Sequence, residues 1–303
     1  LVTVIPPQEL FAIIYRNQKF WYDLLLKLPA MVIMEYADRC FGGIPAIYSV
    51  LQTSNFKLDF IPHNHSIVSN GGVGRNDEWV EPGNPHWIPT DQVSIKVKAL
   101  VLEHVRKNKH LWNPATYQYI EKCILKGYWK IDCSPYGDLG LDHAANLEKL
   151  LRYVNRDCLA AHRIIGIDDE NVIIQYKDRS EQLITESIPG VQYIERFMQH
   201  VLPPKFHGVR SYGLLHSSKK NKLRKAKKLF EKHRQVSGCF MDEWVQRGEQ
   251  VVNGQSDEML GGFCPGCGTR SPKTTRVFFQ SITPGKPNFK YGSRASPDIP
   301  HIE

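Results

Sequence analysis

Apolar positions along the chain switch repeatedly between a period of two and a period near 3.6. Leu1-Val-Thr-Val-Ile5 reads as a strand, closed by Pro6-Pro7. From Glu9 to Cys40 the apolar residues Leu10, Ile13, Ile14, Phe20, Leu24, Leu25, Met31, Ile33 and Met34 recur at helical spacing. Pro29 is expected to break or kink that helix, and Gly42-Gly43 to stop it. Ala46–Thr53 and Leu58–Ser69 read as strands, and Asn70-Gly71-Gly72 marks a turn. Residues 73–90, rich in Gly, Pro, Asn and Trp, read as loop. Asp91 is the expected N-cap of a helix reaching about Lys107, and Ala115–Leu125 forms a second one. Tyr128–Cys133 is a strand, and the loop Ser134–Leu141 leads into a helix from Asp142 to about Asn155. Strands His162–Asp168, Asn171–Tyr176 and Gln182–Ile188 follow, then a helix Val191–Val201 ended by Pro203-Pro204. Mixed elements without regular βαβ spacing predict an α+β domain with an antiparallel sheet.

Composition narrows the class. With 303 residues, 42% hydrophobic and 23% charged, the chain is globular rather than collagen-like, coiled-coil or disordered throughout. The longest apolar stretch, Leu24–Met34, is broken by Lys27 and Pro29 and is too short to span a bilayer. Seven Cys, five of them isolated (Cys40, Cys123, Cys133, Cys158, Cys239), do not make a disulfide framework, so a reducing, cytoplasmic setting is expected. The start at Leu1, already inside a strand-like run, is expected to be that of an N-terminally truncated chain.

Charge changes the picture more than composition does. Residues 1–200 hold 21 Lys+Arg against 23 Asp+Glu, whereas residues 201–303 hold 18 against 8. The positive excess centres on Lys219–Arg234, with nine Lys/Arg and one Glu. Leu223, Ala226 and Phe230 lie at helical spacing within it, which predicts a basic amphipathic helix over 216–235. Such a density of cations suits phosphate contact and salt-dependent nucleic-acid binding; a solvated surface helix is the bland reading. The candidate contacts are Lys219, Lys220, Lys222, Arg224, Lys225, Lys227 and Lys228.

Three motifs carry possible chemistry. His63-Asn64-His65 lies in the apolar run Phe60–Val68, and in a strand both imidazoles face one way, where they can share a divalent ion. Structural or surface histidines are the competing reading. Cys264-Pro-Gly-Cys267 has the form of half a zinc knuckle, with Cys239 and His233 as conceivable completions, in an irregular tail spanning 236–303. Tyr153 stands between Arg152 and Arg156 on the helix Asn146–Arg156; a tyrosine needs a cation or metal nearby to act as nucleophile, and otherwise is one of 13 Tyr on an amphipathic helix.

In order, these pieces resemble the insertion-sequence-91 family of HUH transposases. A strand and long helix precede Pro62-His-Asn-His-Ser-Ile-Val-Ser-Asn-Gly-Gly72, which resembles the HUH segment. Leu150-Leu-Arg-Tyr-Val-Asn-Arg156 is similar to the tyrosine segment, and Val172-Ile-Ile-Gln-Tyr-Lys-Asp178 to a later strand. The longest match is Tyr193-Ile-Glu-Arg-Phe-Met-Gln-His-Val-Leu-Pro-Pro-Lys-Phe-His-Gly-Val-Arg-Ser-Tyr-Gly-Leu-Leu215. The resemblance covers residues 1 to about 234. It implies an HUH-endonuclease-like central antiparallel sheet flanked by helices over 1–215, with the basic helix as a C-terminal extension. It implies a DNA transposase that nicks and rejoins single-stranded DNA at element ends through a 5′-phosphotyrosine, in rolling-circle-like transposition. His63 and His65 would hold Mg²⁺ or Mn²⁺, Tyr153 would be the nucleophile, and Arg152 and Arg156 would contact DNA. Asp157 or His143 is a candidate third ligand, and zinc a candidate at Cys264 and Cys267.

Three departures stand beside the resemblance. Lys149 occupies the place of a second tyrosine, so the chain resembles a single-tyrosine variant. Asn64 stands where the middle HUH residue is normally hydrophobic, and the family's N-terminal Cys-rich zinc module is not in this sequence. A catalytically degenerate DNA-binding remnant or regulator is therefore the alternative function. An RNA-binding protein ranks below both, because aromatic-rich strand motifs for base stacking are missing.

Overall fold

A computed structural model describes residues 1–84, 86–134, 143–155, 163–177 and 182–236. In chain order its elements are β1 (Val2–Ile5), α1 (Phe11–Arg16), α2 (Gln18–Phe41), β2 (Ile44–Ser54), β3 (Phe60–Val73), β4 (Trp79–Val80), α3 (Thr90–Lys107), α4 (Pro114–Lys126) and β5 (Lys130–Cys133). They continue with α5 (His143–Val154), β6 (Ile164–Ile167), β7 (Asn171–Lys177), β8 (Leu183–Pro189), α6 (Gly190–Met198), β9 (Val209–Gly213) and α7 (Lys220–Val236). The main sheet has the order β5-β1-β3-β2-β9, with β4 paired to the end of β3. A second sheet has the order β6-β7-β8, and all pairings in both are antiparallel. The expected α+β class with antiparallel sheets is what the described residues form.

The main sheet has two unlike faces. Val2, Val4, Ile47 and Leu51 point to the face covered by α2, where the principal core lies. Along α2 buried residues occur all round rather than as a stripe, because the sheet lies on one side and α3 packs on another. Val93, Val97, Val101 and Val105 form the apolar stripe of α3, and Ile120, Cys123 and Ile124 that of α4. The second sheet buries Val172, Ile174, Tyr176 and Ile188 against Tyr193 and against Phe56 at the tip of the β2–β3 hairpin. The Phe56 and Tyr176 ring centroids are 5.1 Å apart.

Several local expectations are corrected. The long helix is interrupted at Asn17 (φ −131°, ψ 44°) and runs on through Pro29. A proline inside a helix costs about 3 kcal/mol. Fully burying Leu26, Leu28 and Ile33 beside it is worth roughly 1.5–3 kcal/mol each, which outweighs that cost. Asn70-Gly71-Gly72 is no turn: β3 continues to Val73, and the chain reverses between Gly74 and Glu78. The glycines instead serve a bulge opposite β2. A Cβ on Gly72 would lie 2.2 Å from the Ile44 carbonyl oxygen, and the Ser69 hydroxyl accepts from the Ala46 amide (2.9 Å) and donates to the Gly71 carbonyl (2.6 Å). Asp91 lies in the first turn of α3, whose N-cap is Pro89. The loop 73–90 contains β4, α6 ends at Met198, and β9 is a strand the apolar pattern did not announce. The basic segment is helical, as α7, whereas the tail 237–303 lies outside the described residues.

Candidate active site and nucleic-acid interface

On the second face of the main sheet the strand register assembles a site. Thr3 of β1 and Val50 of β2 both lie opposite His65 of β3, and Gln52 lies opposite His63. Directly paired residues project to the same face, so these side chains form one surface. Both histidines are fully buried, with ring centroids 4.9 Å apart at 80°. Nδ1 of His63 is 2.7 Å from the Ile61 carbonyl oxygen. A carbonyl only accepts, so this nitrogen donates, and Nε2 is the nitrogen of the neutral ring that can ligate a metal. Nδ1 of His65 is held by the Thr3 hydroxyl at 3.0 Å.

α5 lies on this surface. Leu150, Tyr153 and Val154, three and four residues apart, turn toward Val50, with Leu1, Tyr48 and Ile67 around them. The Tyr153 ring is buried and stands 5.2 Å from the His65 ring at 61°. Two polar clamps fix the end of the helix. The Gln52 amide donates to the Val154 carbonyl at 2.9 Å and reaches the Tyr153 carbonyl at 3.4 Å. The Tyr48 hydroxyl donates to the Asn155 side-chain oxygen at 2.8 Å. Arg152 forms an ion pair with Glu148 one turn earlier, and its Nε is buried without a hydrogen-bond partner among the described residues. Lys149 is half-buried on the same helix.

The donor set fits a divalent cation in part. Histidines that bind metal usually have the other ring nitrogen engaged by a carbonyl or similar partner, and both rings here have Nδ1 engaged. Among the described residues no group of three His, Cys, Asp or Glu gathers around them. Asp132 of β5 lies opposite Thr3 on the same face, but its carboxylate accepts from the Ser134 hydroxyl at 2.6 Å and does not join the pair. His143 is the first residue of α5, with its side chain outside the described residues, where Asp157, Arg156, Cys239, Cys264 and Cys267 also lie.

The basic helix seats itself elsewhere. Ala226 and Leu223 of α7 pack on Val73, Trp79 and Leu214 at the far end of β3. That end is roughly 26 Å along the strand from His65. Lys219, Lys220, Arg224, Lys225, Lys227 and Lys228 are exposed, and Lys222 is half-buried. Lys225 pairs with Asp77 at 2.7 Å and holds that carboxyl below its ordinary range.

Sequence reading missed Thr3, Gln52 and Tyr48, because their roles depend on strand pairing. The signal available was Gln52, the first of three consecutive polar residues that end an otherwise largely apolar strand.

The sequence profile of a family described as "Putative transposase" (Y2_Tnp) matches residues 46–222. The chain belongs to this transposase family. The matched span takes in both histidines, Tyr153 and the first turn of the basic helix. "Putative transposase y4qJ" of Sinorhizobium fredii (strain NBRC 101917 / NGR234) is 26% identical over 230 residues, 69% of this chain and 56% of the relative. The chain thus spans little more than half the length of that relative. No solved structure matches this chain. No described helix is long and apolar enough to cross a membrane.

Proposed function

We propose that this transposase chain nicks and rejoins single-stranded DNA by the HUH mechanism, with Tyr153 as nucleophile. The observation that carries the reading is the cluster of His63, His65 and Tyr153, with ring spacings of 4.9 and 5.2 Å on one sheet face. In the reaction, the Tyr153 phenolic oxygen attacks the scissile phosphorus and loses its proton. The bond from phosphorus to the 3′ oxygen breaks, leaving a 5′-phosphotyrosine and a free 3′-hydroxyl, and rejoining reverses the exchange. Nε2 of His63 and of His65 would hold Mg²⁺ or Mn²⁺, which supplies charge stabilisation at the phosphate. Gln52 keeps the end of α5, and so the tyrosine, against the histidines. The half-buried guanidinium of Arg152, whose Nε has no hydrogen-bond partner among the described residues, would meet a phosphate, and the exposed lysines of α7 would hold the flanking strand. The role of single-stranded DNA at the ends of a mobile element rests on the same reading.

The burial of Tyr153 among Val50, Leu150 and Val154 favours a second reading, a DNA-binding relative that has lost catalysis. One experiment separates the two. The chain is mixed with labelled single-stranded DNA from the ends of its element and Mn²⁺, then run on a denaturing gel. The first reading expects a shifted covalent band that is absent in Tyr153→Phe and His63→Ala. Salt-dependent binding with no band, repeated with a longer form of the protein, supports the second and sinks the first.

A further inference from the structure

A cleft of about 360 Å³ opens on the opposite side of the main sheet from the histidines. It lies between the end of α2, the start of β2 and the end of β9, and Met34, Pro45 and Tyr212 form its apolar walls. Part of the wall is bare backbone. Gly213 has φ +59°, and a Cβ there would fall 1.9 Å from the Pro45 carbonyl oxygen, so only glycine lets β9 leave the sheet this close to β2. Asp38, whose carboxylate accepts from the Arg75 guanidinium at 3.1 Å, stands at the rim with His216 and Lys219. Nδ1 of His216 is engaged by the Ser218 hydroxyl (2.8 Å) and amide (3.3 Å), so Nε2 is the nitrogen it offers to a ligand. Lys219 belongs at once to this rim and to the basic run that continues into α7.

Size and chemistry together select the ligand. The volume lies at the small end of small-molecule sites, room for one planar ring system between apolar walls. The Asp38 carboxylate, held by Arg75, keeps lone pairs that accept from amino groups on base edges, while the Lys219 ammonium at the same rim attracts phosphate. Resting on the reading of this chain as a single-strand DNA enzyme, we propose that the cleft is a subsite for one unpaired, amino-bearing DNA base whose phosphate lies on Lys219. The base stacks between Met34, Pro45 and Tyr212, and Asp38 accepts from its amino group. Pro45 and Gln52 are seven residues apart on β2, roughly 23 Å, and on opposite faces. The subsite therefore selects sequence at a distance from the reacting phosphate and takes no part in the chemistry. A strand joining the two passes round the β9 edge of the sheet.

The test uses the whole chain and two oligonucleotides: a 16-nucleotide oligothymidylate, and the same oligomer with one 5-iododeoxycytidine at its centre. Ultraviolet crosslinking followed by peptide mapping is expected to place the iodocytosine on Met34, Tyr212 or His216. In an anisotropy titration one unmodified deoxycytidine is expected to tighten binding about fivefold, the scale of a good base contact. Asp38→Ala should erase that preference, and Lys219→Ala should flatten the salt slope. Met34→Trp, which fills the cleft, should abolish both the crosslink and the preference at unaltered melting temperature. Should that variant unfold, the wild-type crosslink map still decides. Salt-dependent binding of both oligomers with crosslinks only elsewhere overturns the subsite and leaves the DNA reading standing. Failure to bind either oligomer sinks both.

Discussion

The His65 ring stands 5.2 Å from the Tyr153 ring, edge to face at 61°, joining β3 to a helix far along the chain. Tyr153 is therefore at once a packing residue and the proposed nucleophile, and two substitutions separate the roles. Tyr153→Phe keeps the buried ring and is expected to change stability by about 1 kcal/mol or less, while removing the covalent DNA adduct altogether. Tyr153→Ala also deletes the ring from its seat on Val50 and should cost about 3–5 kcal/mol in urea unfolding. Adduct formed by the Phe variant would dismiss Tyr153 as nucleophile.

Gln52 touches neither histidine by hydrogen bond, yet it caps the carbonyls that end α5. Gln52→Ala is expected to destabilise the fold by about 1 kcal/mol and to speed amide hydrogen exchange over residues 150–155. Adduct yield should fall with affinity for single-stranded DNA unaltered. Unchanged exchange in that segment would show that the helix end is held by other contacts.

Asn64 lies between the two histidines and faces the other way, into the α2 side of the sheet. It is fully buried, its Oδ1 accepts from the Ser66 hydroxyl at 2.9 Å, and its Nδ2 has no partner among the described residues. An unpaired buried donor costs more than the single bond returns, and Ser66 keeps its contact with Ser49 at 2.7 Å without it. Asn64→Leu is thus expected to raise stability by about 1 kcal/mol, read as a higher urea midpoint. A lower midpoint would mean that the amide has a partner that matters.

His200 ties the tip of the β2–β3 hairpin to the segment after α6. Its Nε2 donates to the Leu58 carbonyl (3.1 Å), and its Nδ1 pairs with the Thr53 hydroxyl (3.1 Å). Burial holds its pKa below the ordinary histidine value, against the opposing pull of the Asp59 carboxylate. The neutral ring is the form that folding favours, so the unfolded chain takes up the proton first. Its contribution to stability is complete above the ordinary pKa of about 6.5 and is lost as pH falls below that through the folded value. Urea midpoints measured at pH 8, 6 and 5 should drop more steeply for the wild type than for His200→Gln. Parallel profiles would remove His200 as the cause.

Much of the element order was legible from periodicity alone. β7, α4 and the core stripe of α3 follow from patterns that local residues enforce by themselves. His63, His65 and Tyr153 were also visible, as residue types in suggestive surroundings. Other features were not visible because the deciding energy is non-local. Pro29 stays helical only because the sheet and α3 bury its neighbours, and Gly71-Gly72 extend a strand only because β2 comes so close. The short β9 gains its place by pairing with β2 rather than by its own pattern.

By itself, the sequence determined the residue chemistry available: two imidazoles on one side of a strand, a helix-borne tyrosine, and a segregated block of lysines. Only tertiary structure decided which of these meet. Strand register put Thr3 behind His65 and Gln52 beside His63, and one residue of slip would have turned each to the other face. The same packing set α7 at the far end of β3, so the basic helix and the histidines share a strand but not a site.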